Sequence, residues 1–404
     1  MRYLFASLSS YGFLLPAIAI ARTLERRGHS VAFVTDTSMG HALRQAGMER
    51  IPRVPEDGRS FQIELAGHPL ETVRQVKHLE HAVETFRPDV LVGHELALGP
   101  LIAGERHGIP TAMVGLAAFI WPSEGSMLHG TAGFYEWVVE RYEGFLDSYR
   151  VTRETFQLPP RTFEGHDQNP LLGDLFLLRT VAELEGDPES LPSRVHLVGD
   201  CAWSSTAPEP ELEAWLEGAR ASGLPILYAQ PGRFFEKQGF WEALADALDG
   251  QPVLVAASVG RMDRKTSRIP PNFFVRDHVP QELVLPHATA VLCTSTTTAV
   301  LGALTHGLPL LIVPGGGGGE QTDLAFRCQS KGVAYHLKAA DVNAERLGAL
   351  IQELLIPETP ARRNALRMRD AFAAAGGVEQ AADLLERLGR ERSPVPREIA
   401  AVVA

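Results

Sequence analysis

Two stretches of the chain bring together residue types able to hold an anion. From Ala290 an apolar run, Ala-Val-Leu-Cys, leads into Thr294-Ser295-Thr296-Thr297-Thr298 and then a segment ending Gly307-Leu308-Pro309. From Leu310, Leu-Leu-Ile-Val-Pro leads into five glycines, Gly315 to Gly319, and then Glu320-Gln321. Each sets a loop of small residues at the start of a helix, where free backbone N–H groups and the helix dipole favour phosphate. Gly315 and Gly316 would let backbone approach a ligand with no side chain between. Ordinary capping by Ser295 or a neighbouring threonine explains either loop taken alone. Arg233, in Pro231-Gly232-Arg233, has the planar fork that clamps a diphosphate, although a solvated loop arginine is the commoner use. His94 and Glu95 follow the apolar run Asp89 to Gly93, and a histidine at a strand's end suits proton transfer. A second group is aromatic: Phe119, Trp121, Phe134, Tyr135 and Trp137, with Met127, either line a wide apolar pocket or pack a core. No Asp-x-Asp pair and no metal-ligand spacing occurs, so no metal is expected.

These residues need elements to hold them, and the chain alternates strand and helix signals from its first residues. Arg2 to Ser7 reads as a buried strand, followed by a helix to Gly28 and a strand at Val31 to Thr35. Asp89 to Gly93 and Thr111 to Gly115 repeat the pattern. Gly199 to Glu211 has linker chemistry, after which the alternation restarts. Pro225 to Ala229, Pro252 to Ala256, Ala290 to Cys293 and Leu310 to Val313 read as strands, and Glu236 to Leu248 as a helix. Helices fill about Asn343 to Leu388. Strands separated by helices imply right-handed βαβ units and parallel sheets covered on both faces. The expected class is α/β, as two doubly wound lobes: residues 1–200, a linker at 201–208, and residues 209–385. A tail at 386–404 is expected to pack back on the first lobe. In such sheets ligands bind beyond the carboxyl ends of the strands, so the site is expected in loops facing a cleft between the lobes.

Composition narrows the partners. With 404 residues the chain exceeds one ordinary core. Its 38 basic and 49 acidic residues give a net charge of −11, and no basic cluster appears, which argues against nucleic acid. Three scattered cysteines, Cys201, Cys293 and Cys328, imply neither a disulfide framework nor a zinc site and fit a reducing cytoplasm. Tyr11 to Ala21 imitates a signal-peptide core but runs into Arg22-Thr-Leu-Glu-Arg-Arg-Gly28, which suits a helix ended by glycine. No window reaches the apolar length of a membrane span.

Taken in order, Val279-Pro280-Gln281, the strand and threonine loop, Ala303-Leu304-Thr305-His306-Gly307-Leu308-Pro309, and Pro314 through Glu320-Gln321 resemble a known pattern. It is the donor-binding region of glycosyltransferases with the two-lobed GT-B fold, which use nucleotide-activated sugars on small natural products. Gly12-Phe13-Leu14-Leu15-Pro16 and Arg27-Gly28-His29 are similar to that family's opening strand-loop-helix, so the resemblance spans nearly the whole chain. It implies two Rossmann-like domains, the donor on the C-terminal lobe and the acceptor on the N-terminal one. By the same resemblance His278 lies beside the nucleotide base, the Val279 backbone reads the base edge, and Glu320 and Gln321 bond the sugar hydroxyls. Gln281, Thr294, Ser295, Thr296, Thr298, Gly315, Gly316 and Arg233 complete the donor site. Phe13, Trp121, Phe134 and Trp137 belong to the acceptor site. The sugar nucleotide is a co-substrate, no further cofactor is implied, and a homodimer is the assembly entertained.

The chain departs from the family at three places. Phe13 stands where relatives carry the histidine that deprotonates the acceptor. Thr294 stands where they carry a histidine that contacts the diphosphate, with threonine and serine in place of the following glycines. Gly302 stands where they place a glutamate on the ribose. His94 occupies the position of the aspartate that orients the missing base, as if the two members of a dyad were exchanged. Inverting glycosyl transfer, with His94 as base and Glu95 beside it, is the first expectation. A degenerate relative that only binds is the second, since fold does not fix function.

Overall fold

The computed structural model describes residues 1–54, 59–123, 133–163, 168–203, 208–230, 232, 239–260, 267–315 and 319–397. The chain divides into two compact units, Met1–Ser205 with Ala375–Ala404, and Thr206–Ala374.

The first unit contains β1 (Arg2–Ala6), α1 (Tyr11–Arg26), β2 (Ser30–Val34), α2 (Gly40–Gln45), α3 (Pro69–Phe86), β3 (Val90–His94), α4 (Gly99–His107) and β4 (Thr111–Val114). It continues through α5 (Phe134–Thr155), β5 (Leu175–Leu178), α6 (Ala182–Glu185) and β6 (Val195–Leu197). Its sheet runs β2-β1-β3-β4-β5-β6 with every pairing parallel. The strands are apolar nearly throughout because helices cover both faces: four residues of β1 and all of β3, β4 and β5 are buried. The apolar stripes of α1, α3 and α5 close the core, and several polar residues are enclosed with them, among them Thr23, Glu71, Thr72, Thr152 and Arg153.

Pro16 lies inside α1. It has no N–H to give to the Gly12 carbonyl one turn back, so that carbonyl needs another donor. Arg179, immediately after β5 and wholly enclosed, supplies it: Nη2 donates to Gly12 O at 3.4 Å and Nε to Gly115 O at 3.0 Å.

The second unit contains α7 (Pro210–Ser222), β7 (Ile226–Gln230), α8 (Phe240–Leu248), β8 (Leu254–Ser258), β9 (Phe273–Arg276) and α9 (Gln281–Val284). Next come β10 (Ala290–Cys293), α10 (Thr297–Thr305), β11 (Leu310–Ile312), α11 (Gly319–Ser330), β12 (Ala334–His336), α12 (Ala344–Leu355) and α13 (Pro360–Ala374). The sheet order is β12-β11-β10-β7-β8-β9, again parallel. Leu227, Val255, Leu292 and Leu311 pack one face against α8 and α12.

Sequence and structure differ at the edges. β5, β6, β9 and β12 were not expected from the sequence. The strand expected at Pro252 to Ala256 begins two residues later, at Leu254. The return to the first unit falls at Ala375, earlier than the expected 386. α14 (Gly377–Glu391) therefore lies wholly in the first unit, with Ala381, Leu384, Leu385 and Leu388 in the core behind α1. All three cysteines are buried and free, and burial pushes the Cys201 and Cys293 thiols up to about 12. No described helix is long and apolar enough to cross a membrane.

Candidate active site

In each sheet the chain starts in one strand, builds outward to one side, and then resumes on the other. The switch falls between β1 and β3 in the first unit and between β7 and β10 in the second. The loops leaving those strands run to opposite sides of the sheet there, at the carboxyl edge, the position where open α/β sheets take ligands.

At the first switch point stand Phe13, in the opening turn of α1, and His94, closing β3. Their rings lie 3.7 Å apart between centroids, tilted by 43°, so the two exchanged positions meet in space. His94 is 3% exposed. Its Nδ1 accepts the Leu96 N–H at 3.3 Å, which puts the ring proton on Nε2, and among the described residues nothing meets that buried Nε2. Burial, followed by the charge of Arg179, holds the imidazole well below its ordinary range. His94 is therefore neutral at pH 7 but weakly basic, with its lone pair engaged. That is a poorer base than its position at the strand end suggested. Glu95 is fully enclosed and accepts the Leu116 N–H at 2.9 Å.

The aromatic candidates separate. Trp121 has no exposed surface and packs edge-on against Phe145 and Tyr142, so it belongs to the core and not to an acceptor wall. Phe134 is 4% exposed and stacks on the half-buried Trp137, over which Arg141 also lies. Met127 lies outside the described residues.

At the second switch point Gln230, closing β7, is register partner of Cys293, closing β10. Thr294 and Ser295 follow, both buried, with Ser295 at φ +60°. This is the left-handed backbone that favours glycine. The loop thus holds a backbone that glycine adopts without strain, although the residue is serine. Thr296 is exposed at the N-cap of α10, and Thr298 lies in its first turn. The Ser295 hydroxyl reaches Gln321 O at 2.7 Å and Thr294 O at 2.6 Å.

Gln281 crosses to α10, its Nε2 donating to Thr298 O at 3.5 Å. A Cβ at Gly302 would come within 2.8 Å of that nitrogen. The Gln281 amide thus fills the space where relatives carry a glutamate. Three buried oxygens of this edge meet no donor among the described residues: Gln230 Oε1, Gln281 Oε1 and Glu320 Oε2. All three accept only, and native interiors seldom leave such atoms unmatched. Hydroxyl donors on a ligand would satisfy them.

Other donor-side expectations change. His278 is exposed, as contact with a base requires. Val279 is not free to read a base edge with its N–H, which donates to Ser258 Oγ at 3.2 Å, and its carbonyl already accepts from Tyr228 at 3.0 Å. Gly315 is described and half-buried, whereas Gly316 and Arg233 lie outside the described residues. Gln230 and Arg179 were missed from sequence. Arg179 had a legible signal, an arginine directly after the four-residue apolar run Leu-Phe-Leu-Leu. A polar cavity of about 350 Å³ lined by Arg2, Glu25, Glu49 and Thr85 lies at the opposite edge of the first sheet and is no part of this site.

Two doubly wound units, each with one topological switch point, make up the GT-B architecture of nucleotide-sugar glycosyltransferases. Residues 8–114, which hold Phe13 and His94, match the glycosyltransferase family 28 N-terminal domain. Nearly the whole chain is similar to 4'-demethylrebeccamycin synthase of Lentzea aerocolonigenes, 26% identical over 435 residues that cover 96% of this chain and 99% of that one. Among solved structures, the glycotransferase of kitacinnamycin superposes with a TM-score of 0.76 at 21% identity, covering 96% of this chain and 98% of that one. The spinosyn rhamnosyltransferase SpnG, solved with thymidine diphosphate, gives 0.69 at 18% identity, covering 96% and 100%.

Proposed function

We propose that the protein transfers a sugar, with inversion, from a nucleoside-diphosphate sugar to a small natural-product acceptor. The observation that carries this reading is the second switch point. It joins the threonine loop at the start of α10 and the first turn of α11 to three buried acceptor oxygens that meet no donor among the described residues. N–H groups at the two helix starts suit a diphosphate, and the oxygens suit the hydroxyls of a pentose and a sugar. The similarity to natural-product glycosyltransferases supports the substrate class. Thymidine diphosphate is the nucleotide proposed, since Gly302 leaves no carboxylate for a ribose and SpnG is solved with it.

In the proposed step a lone pair of the acceptor attacks the anomeric carbon from the face opposite the diphosphate. The bond from that carbon to the diphosphate oxygen breaks, and its electrons leave with the nucleotide. The α10 and α11 N-termini stabilise the charge that accumulates there. A hydroxyl acceptor must also lose a proton. His94 takes it at Nδ1 by exchanging the long Leu96 bond for one from the acceptor. Because burial and Arg179 keep this imidazole weakly basic, acidic nucleophiles such as phenols outpace alkyl alcohols. The proposal carries with it a cytoplasmic location and a homodimer, the latter read by sedimentation.

Thermal unfolding with thymidine diphosphate and uridine diphosphate tests the donor reading, because a ligand bound only by the folded state raises its stability. A rise with thymidine diphosphate is expected. No shift with either would leave the binding-only relative as the better account.

A further inference from the structure

Among the described residues at the second switch point, Ser295 alone combines a left-handed backbone with a side chain that bonds to a distant segment. It is 1% exposed and sits at φ +60°, a conformation costly for a residue with a Cβ. Its hydroxyl points along the sheet edge to Gln321 O, 26 residues away, at 2.7 Å. Gln321 and Glu320 lie in the first turn of α11, and Ser295 lies in the middle of the loop between β10 and α10. A glycine would adopt this backbone without strain but would leave the contact unmade. The strained serine therefore makes a contact that the less strained residue would not.

We propose that Ser295 is a positioning residue for the sugar nucleotide, a clasp that holds the threonine loop and the first turn of α11 at one fixed spacing. The hydroxyl proton is shared between Thr294 O and Gln321 O, so the clasp ties the diphosphate-side loop to the residues facing the sugar. With the spacing fixed, a diphosphate held by one loop presents its sugar to Glu320 and Gln321 without a search. The inference rests on the donor reading above and adds the device that joins its two halves.

Ser295→Gly relieves the backbone and removes the clasp, whereas Ser295→Ala removes the clasp and keeps the strain. Hydrogen exchange on the ligand-free protein is the first measurement. Amides at the start of α11 are expected to exchange faster in both variants, while the glycine variant melts no lower than wild type. In transfer assays the Michaelis constant for the sugar nucleotide should rise about tenfold in both, with affinity for thymidine diphosphate alone within about twofold of wild type. Unchanged exchange in α11 together with an unchanged Michaelis constant in Ser295→Gly overturns the clasp. Should wild-type protein bind no nucleoside diphosphate while exchange still responds to Ser295→Gly, the donor reading fails and the clasp loses its positioning role with it. The two failures are thereby told apart.

Discussion

Phe13 and His94 illustrate how a pair of residues can keep contact while changing chemistry. A histidine at position 13 with an aspartate at 94 would hold one proton acceptor against one anion. Here an uncharged ring lies 3.7 Å from an imidazole that burial keeps neutral. Phe13→His combined with His94→Asp is expected to speed transfer to alkyl alcohols relative to phenols. A competition assay with one acceptor of each kind reads the ratio, and an unchanged ratio removes proton removal as the limiting step. His94→Ala alone should slow transfer to alcohols, whereas equal rates would dismiss His94 from the mechanism. Arg179 is a different case, a buried cation whose worth lies in the carbonyls of Gly12 and Gly115. Arg179→Met leaves both carbonyls without that donor and should cost about 2–4 kcal/mol, seen as a lower denaturant midpoint. Arg179→Lys should recover only part, since an ammonium does not reproduce the two-armed fork.

At the scale of elements, the swap between Gln281 and Gly302 joins α9 to α10. A methyl at position 302 would push the Gln281 amide aside, because the two would stand 2.8 Å apart. Gly302→Ala is expected to weaken thymidine diphosphate binding severalfold with little change in melting temperature, which titration calorimetry reads. Helices α1 and α14 are joined by charge. Arg27 and His29 both reach Glu386, at 3.3 and 3.0 Å, and the hydrogen bond from His29, then Arg27, holds that carboxyl below its ordinary range. The group is partly exposed, so Glu386→Gln should cost no more than about 0.5–1 kcal/mol. The difference from wild type should shrink in high salt.

For the molecule as a whole, acid should act on the first unit first. Buried His78 accepts or donates at both nitrogens, to Ser60 Oγ and Ile51 O, and burial lowers it from 6.5 to about 4. His94 and His196 are lowered too, chiefly by burial. A folded state that refuses protons which the unfolded chain accepts loses stability as pH falls below 6.5, and the loss levels off once the folded group itself titrates. For His78 alone that window runs from 6.5 to about 4 and amounts to about 3 kcal/mol. Denaturation between pH 7 and 4, followed by exchange at strands β1 and β3, should show it. Stability that stays flat across this range would mean the three rings protonate in the folded state.

Much of this protein is legible in its residues. Apolar runs alternating with amphipathic stretches dictate parallel sheets with helices on both faces, since only that arrangement buries such strands twice over. Spacing of the small-residue loops against those strands marks the donor edge, because a loop at a strand's carboxyl end must lead a helix. Other features required the packed molecule. Nothing in the residue order shows that Trp121 is core, that Val279 spends its N–H on Ser258, or that Pro16 hands the Gly12 carbonyl to Arg179. Nor does it show that Gln281 occupies the room left by Gly302, or that Ser295 reaches Gln321. Each of these depends on which side chains meet from distant segments, and on how much water is left around them, which sequence periodicity does not encode. Local physics decides the elements; only their packing decides which polar atoms are spent on the fold and which are kept for a ligand.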